Sequence, residues 1–341
     1  MGSSPATPRH FLRLQDLDPR EVDDVLDLAG RLRQGVRGAD LQGRTVGLLF
    51  FRGSLRTRSS FEVALHQLGG HALNLNAASD FWSLEERTGI VMDGEAPEHI
   101  RDAAEALSCY VDALAIRPAP AGRVWERDRL DTGIHAWAQH SKVPVINMES
   151  ALWHPLQALA DLMTLRDALG GDLRGRRLAI TWTRSPAPGS PAGVNSMLLA
   201  ALRAGMEVSL AHPRGFDLDS AVLEEARGEA QRSGVEFQQV DSMDSAVEGS
   251  HVVYARSWWP LSSYGNPTLT ASRLARESGW CVDERTLALG EDARLMHPMP
   301  VRRNLEVTDE VLDGPRSLII QQAGNRLHTQ KGLLSLLLRP S

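Results

Sequence analysis

The chain has 341 residues, 42% of them hydrophobic, and a formal net charge of −6 at pH 7. That length exceeds one ordinary core and predicts two domains, while the acidic balance excludes a general basic surface for nucleic acid, so any anion site has to be local. Two cysteines, Cys109 and Cys281, make no disulfide framework and point to a reducing cytoplasm, and no apolar run nears the ~20 residues of a membrane span.

The N-terminus is polar and lacks the apolar segment of a secretion signal. Gly2 is a weak myristoylation signal, because Ala6 stands where Ser or Thr is wanted. Asp18-Pro19 opens a helix, and Val22, Val25, Leu26, Ala29 and Leu32 keep its period. "TVGLLFF" (45–51) reads as an apolar strand. Phe61, Ala64, Leu65 and Leu68 form the next helical face, stopped at Gly69-Gly70. "ALNL" (72–75) is a short strand, and 76–97 a long loop without period, a type that is uncommon unless functional. A helix "EHIRDAAEALSCY", a strand "DALAIR" (112–117) and a strand "VPVINM" (143–148) follow. From His154 a helix runs to Gly170-Gly171, and the alternation starts again: strand 177–183, helix, strand, helix, strand 252–258. "NRLHTQKGLLSLLL" is a C-terminal helix. Alternating strands and helices predict an α/β protein of two doubly wound domains with mainly parallel sheets.

Where strand 45–51 gives way to a helix, Arg52, Arg56 and Arg58 crowd into "RGSLRTR". The first N–H groups of a helix lack partners within it, and its dipole favours negative charge there. Ser54 and Thr57 add hydroxyls, and Arg56 and Arg58 add forked, permanent charges suited to phosphate. The plain alternative is a helix cap beside a solvated basic helix end. No "GxxxxGK[ST]" and no "GxGxxG" after a strand occurs, against a P-loop or a nicotinamide-binding enzyme.

"SLRTRSSFE" resembles the Ser-x-Arg-Thr-Arg motif of the aspartate and ornithine carbamoyltransferases. "HPLQALAD" (154–161) resembles that family's His-Pro-x-Gln-x-Leu-Ala-Asp, and "HPMP" (297–300) its His-x-x-Pro. The three stand in the family's order and span most of the chain. The resemblance implies a carbamoyl-phosphate-binding domain over 1–150, completed by a C-terminal helix (325–341) that returns to it, and an acceptor-binding domain over 151–324. It implies that Ser54, Leu55 (through its backbone), Arg56 and Thr57 hold the phosphate, with Arg58 in support. Thr57, Arg117 and His154 would face the carbamoyl carbonyl oxygen, and Gln157 the carbamoyl amine. Alone, His154 reads as a helix-start histidine and Gln157 as a surface residue. An amine attacking the carbamoyl carbon raises an oxyanion and expels phosphate, so cations and hydrogen-bond donors suffice. No metal and no cofactor are implied, and the cysteines and eleven histidines show no zinc spacing.

The acceptor is read from further stretches. The Asp-x-x-x-Ser-Met-Gly signature of ornithine enzymes is absent, "VVYARSWWP" (252–260) standing in its place, and the lysine-bearing loop of aspartate enzymes is absent too. "FWSLEERTGIVMDGEAPEHI" (81–100), "VPVINMES", "LAITWT", "RRNLEVTDEVLD" and "NRLHTQK" resemble the N-acylornithine carbamoyltransferases. That implies an oligomer, a homotrimer, with Trp82 reaching a neighbouring subunit's site; the plain alternative is an exposed loop aromatic. It implies that Glu149 contacts the acceptor's amino-acid part, that Met299 beside Pro298 offers backbone groups near both substrates, and that Arg326 supports the phosphate side. Arg256 stands where acetyl-type enzymes have Lys, and Glu306 where they have a lysine that can be carboxylated; Glu306 is either an electrostatic substitute or a solvated acid. Pro97 stands where acetyl-type relatives carry an acid and succinyl-type relatives proline, although it also suits the first turn of the helix starting there. The implied activity is carbamoylation of N-succinyl-L-ornithine in arginine biosynthesis. The alternatives are N-acetylornithine, then ornithine, or a non-catalytic binder of carbamoyl phosphate.

Overall fold

The computed structural model describes residues 8–36 and 40–339. The Gly2 and Ala6 reading and the last two residues of segment 325–341 lie outside them. The chain forms two compact units: one takes the residues up to Pro120, Leu130–Leu156 and the chain from Arg326, the other Ala121–Arg129 and Gln157–Asn325.

In the first unit, α1 (Pro19–Arg33) is capped by Asp18, whose side chain accepts from the Glu21 N–H while Glu21 accepts from the Asp18 N–H. There follow β1 (Thr45–Phe50), α2 (Leu55–Gln67), β2 (His71–Asn76), β3 (Leu84–Glu85), β4 (Glu98–His99), α3 (Ile100–Leu107) and β5 (Ala113–Arg117). The chain then leaves α4 (Trp125–Asp128) in the second unit and returns with α5 (Thr132–His140) and β6 (Val145–Asn147). The sheet order is β2-β1-β5-β6, all parallel. Its inner strand β1 is an apolar run, as burial on both faces demands. Leu49, Leu114, Ile116 and Val145 join Ile134 and Trp137 of α5 in one core. The order reverses at β1, whose carboxyl end therefore borders a crevice between diverging connections.

The second unit holds α6 (Pro155–Leu169) from Gln157 on, then β7 (Arg177–Trp182), α7 (Ala192–Arg203), β8 (Glu207–Ala211), α8 (Ser220–Ser233), β9 (Phe237–Val240), α9 (Met243–Val247) and β10 (Val252–Arg256). After α10 (Pro267–Leu274), α11 (Glu284–Leu287), β11 (Arg294–Met296) and α12 (Asp309–Asp313) comes α13 (Ile319–Leu337), whose residues from Arg326 count with the first unit. The sheet order is β11-β10-β7-β8-β9, again parallel. Asp161 of α6 is fully buried. It accepts from Gln157 Nε2 (2.8 Å), Gln322 Nε2 (2.7 Å) and the Tyr254 hydroxyl (3.0 Å), so a buried polar group has the donors it needs.

The expected α/β architecture of two parallel-sheet domains is the one observed, with α13 returning to the first unit, where Lys331 Nζ donates to Gln67 Oε1 at 2.9 Å. Three details differ from the sequence reading. The 76–97 loop is pinned by a two-residue ladder pairing Leu84 with Glu98 and Glu85 with His99. That ladder claims Glu98 and His99, so α3 starts only at Ile100, with the His99 side chain capping it. α13 begins at Ile319 rather than Asn325. Among the described residues no helix is long and apolar enough to cross a membrane.

Two glycines of α13 test its packing. A Cβ at Gly332 would sit 2.6 Å from the Val25 carbonyl oxygen of α1, whereas one at Gly324 meets nothing within 4 Å. Gly332→Ala is expected to cost about 1–3 kcal/mol from overpacking. Gly324→Ala is expected to stabilise by up to about 1 kcal/mol from helix propensity. Denaturant melts of the two variants check the pair; equal effects would contradict the close approach.

Candidate active site

The turns at the carboxyl ends of β1, β5 and β6 bring the candidate residues Thr57, Arg117 and Glu149 together. Ser54 caps α2, its hydroxyl accepting from the Thr57 N–H at 3.2 Å. The cap orients the first turn, so the helix N-terminus and its dipole look out over the crevice. Leu55 is exposed and Arg56 half-buried. Arg58 turns back over the Phe50 ring, its guanidinium carbon 4.6 Å from the ring centre, which marks it as a support for the turn.

Thr57 is fully buried, and two arginines converge on it. Arg326 Nη2 donates to its Oγ1 at 2.6 Å and Arg117 Nη1 at 3.5 Å. A hydroxyl that accepts from guanidinium groups has its own proton left to donate. Arg117, at the end of β5, also donates to the Met148 carbonyl at 3.3 Å. Its Nη2 lies 2.5 Å from Glu149 Oε2. Burial pulls the Arg117 pKa below the usual arginine value, and Glu149 opposes the shift. His154 Nε2 lies 4.0 Å from the same carboxylate oxygen. Burial drives the His154 pKa well down, with the neighbouring arginines adding to the effect, so the imidazole is neutral.

Glu149 sits on the turn after β6 with φ of 141°, a conformation that disfavours residues other than glycine. Its neighbours hold it there. The Glu149 N–H donates to Asn147 Oδ1 at 2.9 Å. Asp131, itself at positive φ, accepts from the Ala151 N–H (2.8 Å) and from the Ser150 hydroxyl (2.5 Å). Burial raises the Asp131 pKa against those hydrogen bonds. Asp131 belongs to no motif, and Arg52, visible in the sequence only as part of the cationic turn, carries no pattern that points to Glu149. Only distances expose them. Glu149 is 8% exposed and so is no solvated strand-end charge.

Trp82 lies on the 76–97 loop and is 70% exposed. Glu86 of that loop lies against Gly133 in the first turn of α5, and burial raises its pKa. Pro97 is exposed and lies before β4, three residues ahead of the first residue of α3. The reading of Pro97 as a first-turn helix residue is therefore corrected: the ladder between β3 and β4 takes the two residues that would have opened the helix.

The second unit gathers a separate set. Gln157 is buried, not a surface residue, and its amide nitrogen is directed to Asp161. At the end of β10, Arg256 lies over Gly189, where a Cβ would come within 2.5 Å of Nη2. After β11, His297 accepts from the Met299 N–H through Nδ1 at 2.9 Å. A backbone N–H can only donate, so the imidazole proton is on Nε2, where it meets Glu306 Oε2 at 2.9 Å. Met299 is thereby held at φ 49°, beside half-buried Pro298. Glu306 is 4% exposed, so its reading as a solvated acid is corrected. Burial opposes its charge, but hydrogen bonds from His297 and Ser185 keep its pKa below the ordinary value.

Comparisons agree along nearly the whole chain. Residues 9–167 match the carbamoyl-P binding domain of aspartate/ornithine carbamoyltransferases, and residues 192–337 match their Asp/Orn binding domain. An N-acetylornithine carbamoyltransferase of Xylella fastidiosa is 40% identical over 331 residues, 96% of this chain and 98% of the relative. Two solved structures superpose with TM-scores of 0.93 at 40% identity, covering 96% of this chain and 98–99% of theirs. One is an acetylornithine transcarbamylase complexed with acetylcitrulline. The other is an N-acetyl-L-ornithine transcarbamylase variant, with a glutamate replaced by proline, complexed with carbamyl phosphate and N-succinyl-L-norvaline. Matched by both family models in order, and by a relative along nearly its full length, this chain is a carbamoyltransferase of the aspartate/ornithine carbamoyltransferase family.

Proposed function

We propose that the enzyme transfers the carbamoyl group of carbamoyl phosphate to the side-chain amine of N-succinyl-L-ornithine, releasing N-succinylcitrulline and phosphate, as a cytoplasmic homotrimer in arginine biosynthesis. The free cysteines Cys109 and Cys281 support a reducing compartment. The convergence of Arg117 and Arg326 on buried Thr57 supports the donor half of this reading. We assign the phosphate to Ser54, the Leu55 N–H, Arg56 and Thr57, with Arg58 and Arg326 in support. We assign the carbamoyl oxygen to Thr57, Arg117 and His154, and the carbamoyl amine to Gln157, with Pro298 and Met299 offering backbone groups. As the amine attacks, negative charge grows on the carbamoyl oxygen and then leaves with phosphate. Each preorganised donor at such an oxygen is worth about 2.7–4 kcal/mol. A neutral His154 can donate one N–H there without adding a second fixed charge.

Pro97 carries the choice of acceptor. A succinyl group ends in a carboxylate, which a glutamate nearby would repel in a partly desolvated pocket. Proline removes that charge, and no helix requires a proline at this place. The neighbour whose glutamate is replaced by proline is complexed with an N-succinyl compound, which supports the same logic. Glu149 is assigned to the acceptor's amino-acid part, and Arg256, a planar fork over Gly189, to the succinyl carboxylate. The second reading, N-acetylornithine, is favoured by the name of the 40% identical relative.

Product formation from ornithine, N-acetylornithine and N-succinylornithine, measured in parallel, decides the acceptor. The succinyl substrate is expected to show the highest kcat/KM, and Pro97→Glu to shift preference toward the acetyl substrate. A higher wild-type kcat/KM on N-acetylornithine would overturn the acceptor and leave the carbamoyltransferase intact.

Arg56→Ala is expected to cut turnover by about a hundredfold or more, the scale of one lost oxyanion donor. Trp82, exposed on its own chain, is assigned to a neighbour's site. Mixing Arg56→Ala with Trp82→Ala subunits is therefore expected to restore activity. Exchange of subunits without recovery would refute sharing.

His154 sets a pH dependence of stability. Its folded pKa lies below its unfolded value near 6.5, so below that value the unfolded chain binds the extra proton. Stability is then lost as pH falls through the window between the two. His154→Gln is expected to flatten that fall in melts taken from neutral to acid pH; an unchanged slope would contradict a buried neutral imidazole.

A further inference from the structure

Arg52 stands two residues ahead of the helix cap Ser54, in the cationic turn but outside the Ser-x-Arg-Thr-Arg motif. Its Nε donates to the Pro118 carbonyl at 3.1 Å, and its Nη2 donates to the Glu149 carbonyl at 3.1 Å. The same Nη2 lies 3.4 Å from Glu149 Oε2. One guanidinium thus joins the turns that follow β1, β5 and β6. Lysine could not do this, because it offers a point charge rather than a planar fork.

Glu149 needs such a hold. Its positive φ is costly for a residue with a side chain and persists only where the surroundings over-determine it. Asn147 holds the N–H side of the residue and Arg52 the carbonyl side. The carboxylate is then shared between Arg117 at 2.5 Å and Arg52 at 3.4 Å. With Arg52 gone, the Glu149 peptide loses the hold on its carbonyl and its carboxylate loses a neighbouring arginine. Arg117, by contrast, keeps its contacts to Met148 and Thr57. The consequence falls on Glu149 and not on the donors assigned to carbamoyl phosphate.

We infer that Arg52 is a positioning residue for acceptor specificity: acting through Glu149, it fixes the carboxylate that receives the acceptor's amino-acid part. The inference rests on the proposed role of Glu149. Steady-state kinetics of Arg52→Met, Glu149→Gln and the double variant, varying carbamoyl phosphate and N-succinylornithine in turn, test it. Arg52→Met is expected to raise the acceptor KM by about tenfold, the scale of one charge-assisted hydrogen bond, with the carbamoyl phosphate KM changed by less than about twofold. Glu149→Gln is expected to raise the acceptor KM at least as much, and the double variant to be no worse than Glu149→Gln alone. Arg52→Lys keeps the charge without the fork and is expected to retain most of the defect; Arg52→Gln replaces the methionine variant if that one fails to fold. A rise in both KM values together, or losses that multiply in the double variant, would overturn the inference. So would an unchanged acceptor KM in Arg52→Met beside an affected Glu149→Gln. An acceptor KM untouched by Glu149→Gln would instead remove the assigned role of Glu149, and with it the ground for this inference.

Discussion

The ion pair between Arg117 and Glu149 is what the first unit is arranged around. Arg52, Arg56, Arg117 and Arg326 gather near one fully buried hydroxyl, Thr57, in a protein whose net charge is negative. Cations brought together out of water repel one another and lose their hydration. The Glu149 carboxylate is the anion that offsets part of that cost, and it does so from a backbone conformation that is itself unfavourable. Breaking a buried pair of this kind typically costs about 3–5 kcal/mol.

The surroundings of Glu149 follow from that. Asp131, Asn147 and Arg52 each satisfy a backbone group of the turn after β6 or brace it, and burial of Asp131 is tolerated because its carboxylate accepts from Ser150 and Ala151. His154 stays neutral because it is buried among arginines. A neutral donor beside charged donors suits a reaction in which one negative charge develops and then departs with phosphate. The helix dipole of α2, oriented by the Ser54 cap, acts in the same direction at no further cost in side-chain ordering.

The second unit applies a comparable rule with other residues. Glu306 orients His297, and His297 in turn holds the Met299 backbone at positive φ. Asp161 binds three buried donors from α6, β10 and α13. In each case a buried carboxyl group accepts hydrogen bonds and in return sets the direction of a neighbour.

The sequence by itself determined the alternation of strands and helices, the apolar inner strands, the helix cap at Ser54 and the cationic turn behind it. These are local: period, capping chemistry and charge are written within a few residues. Three family motifs in order also sufficed to name the reaction class. The tertiary structure alone decided what lies beside what. It shortened α3 by pairing Glu98 and His99 with residues across a long loop, and it lengthened α13. It buried Glu306, took Pro97 out of a helix, brought Asp131 to the Ser150 hydroxyl from 19 positions away along the chain, and brought Arg52 to the Glu149 carbonyl from 97. No local pattern encodes such pairings, because a hydrogen bond between distant residues leaves no period in either segment; it exists only once the sheet has placed its strand ends side by side.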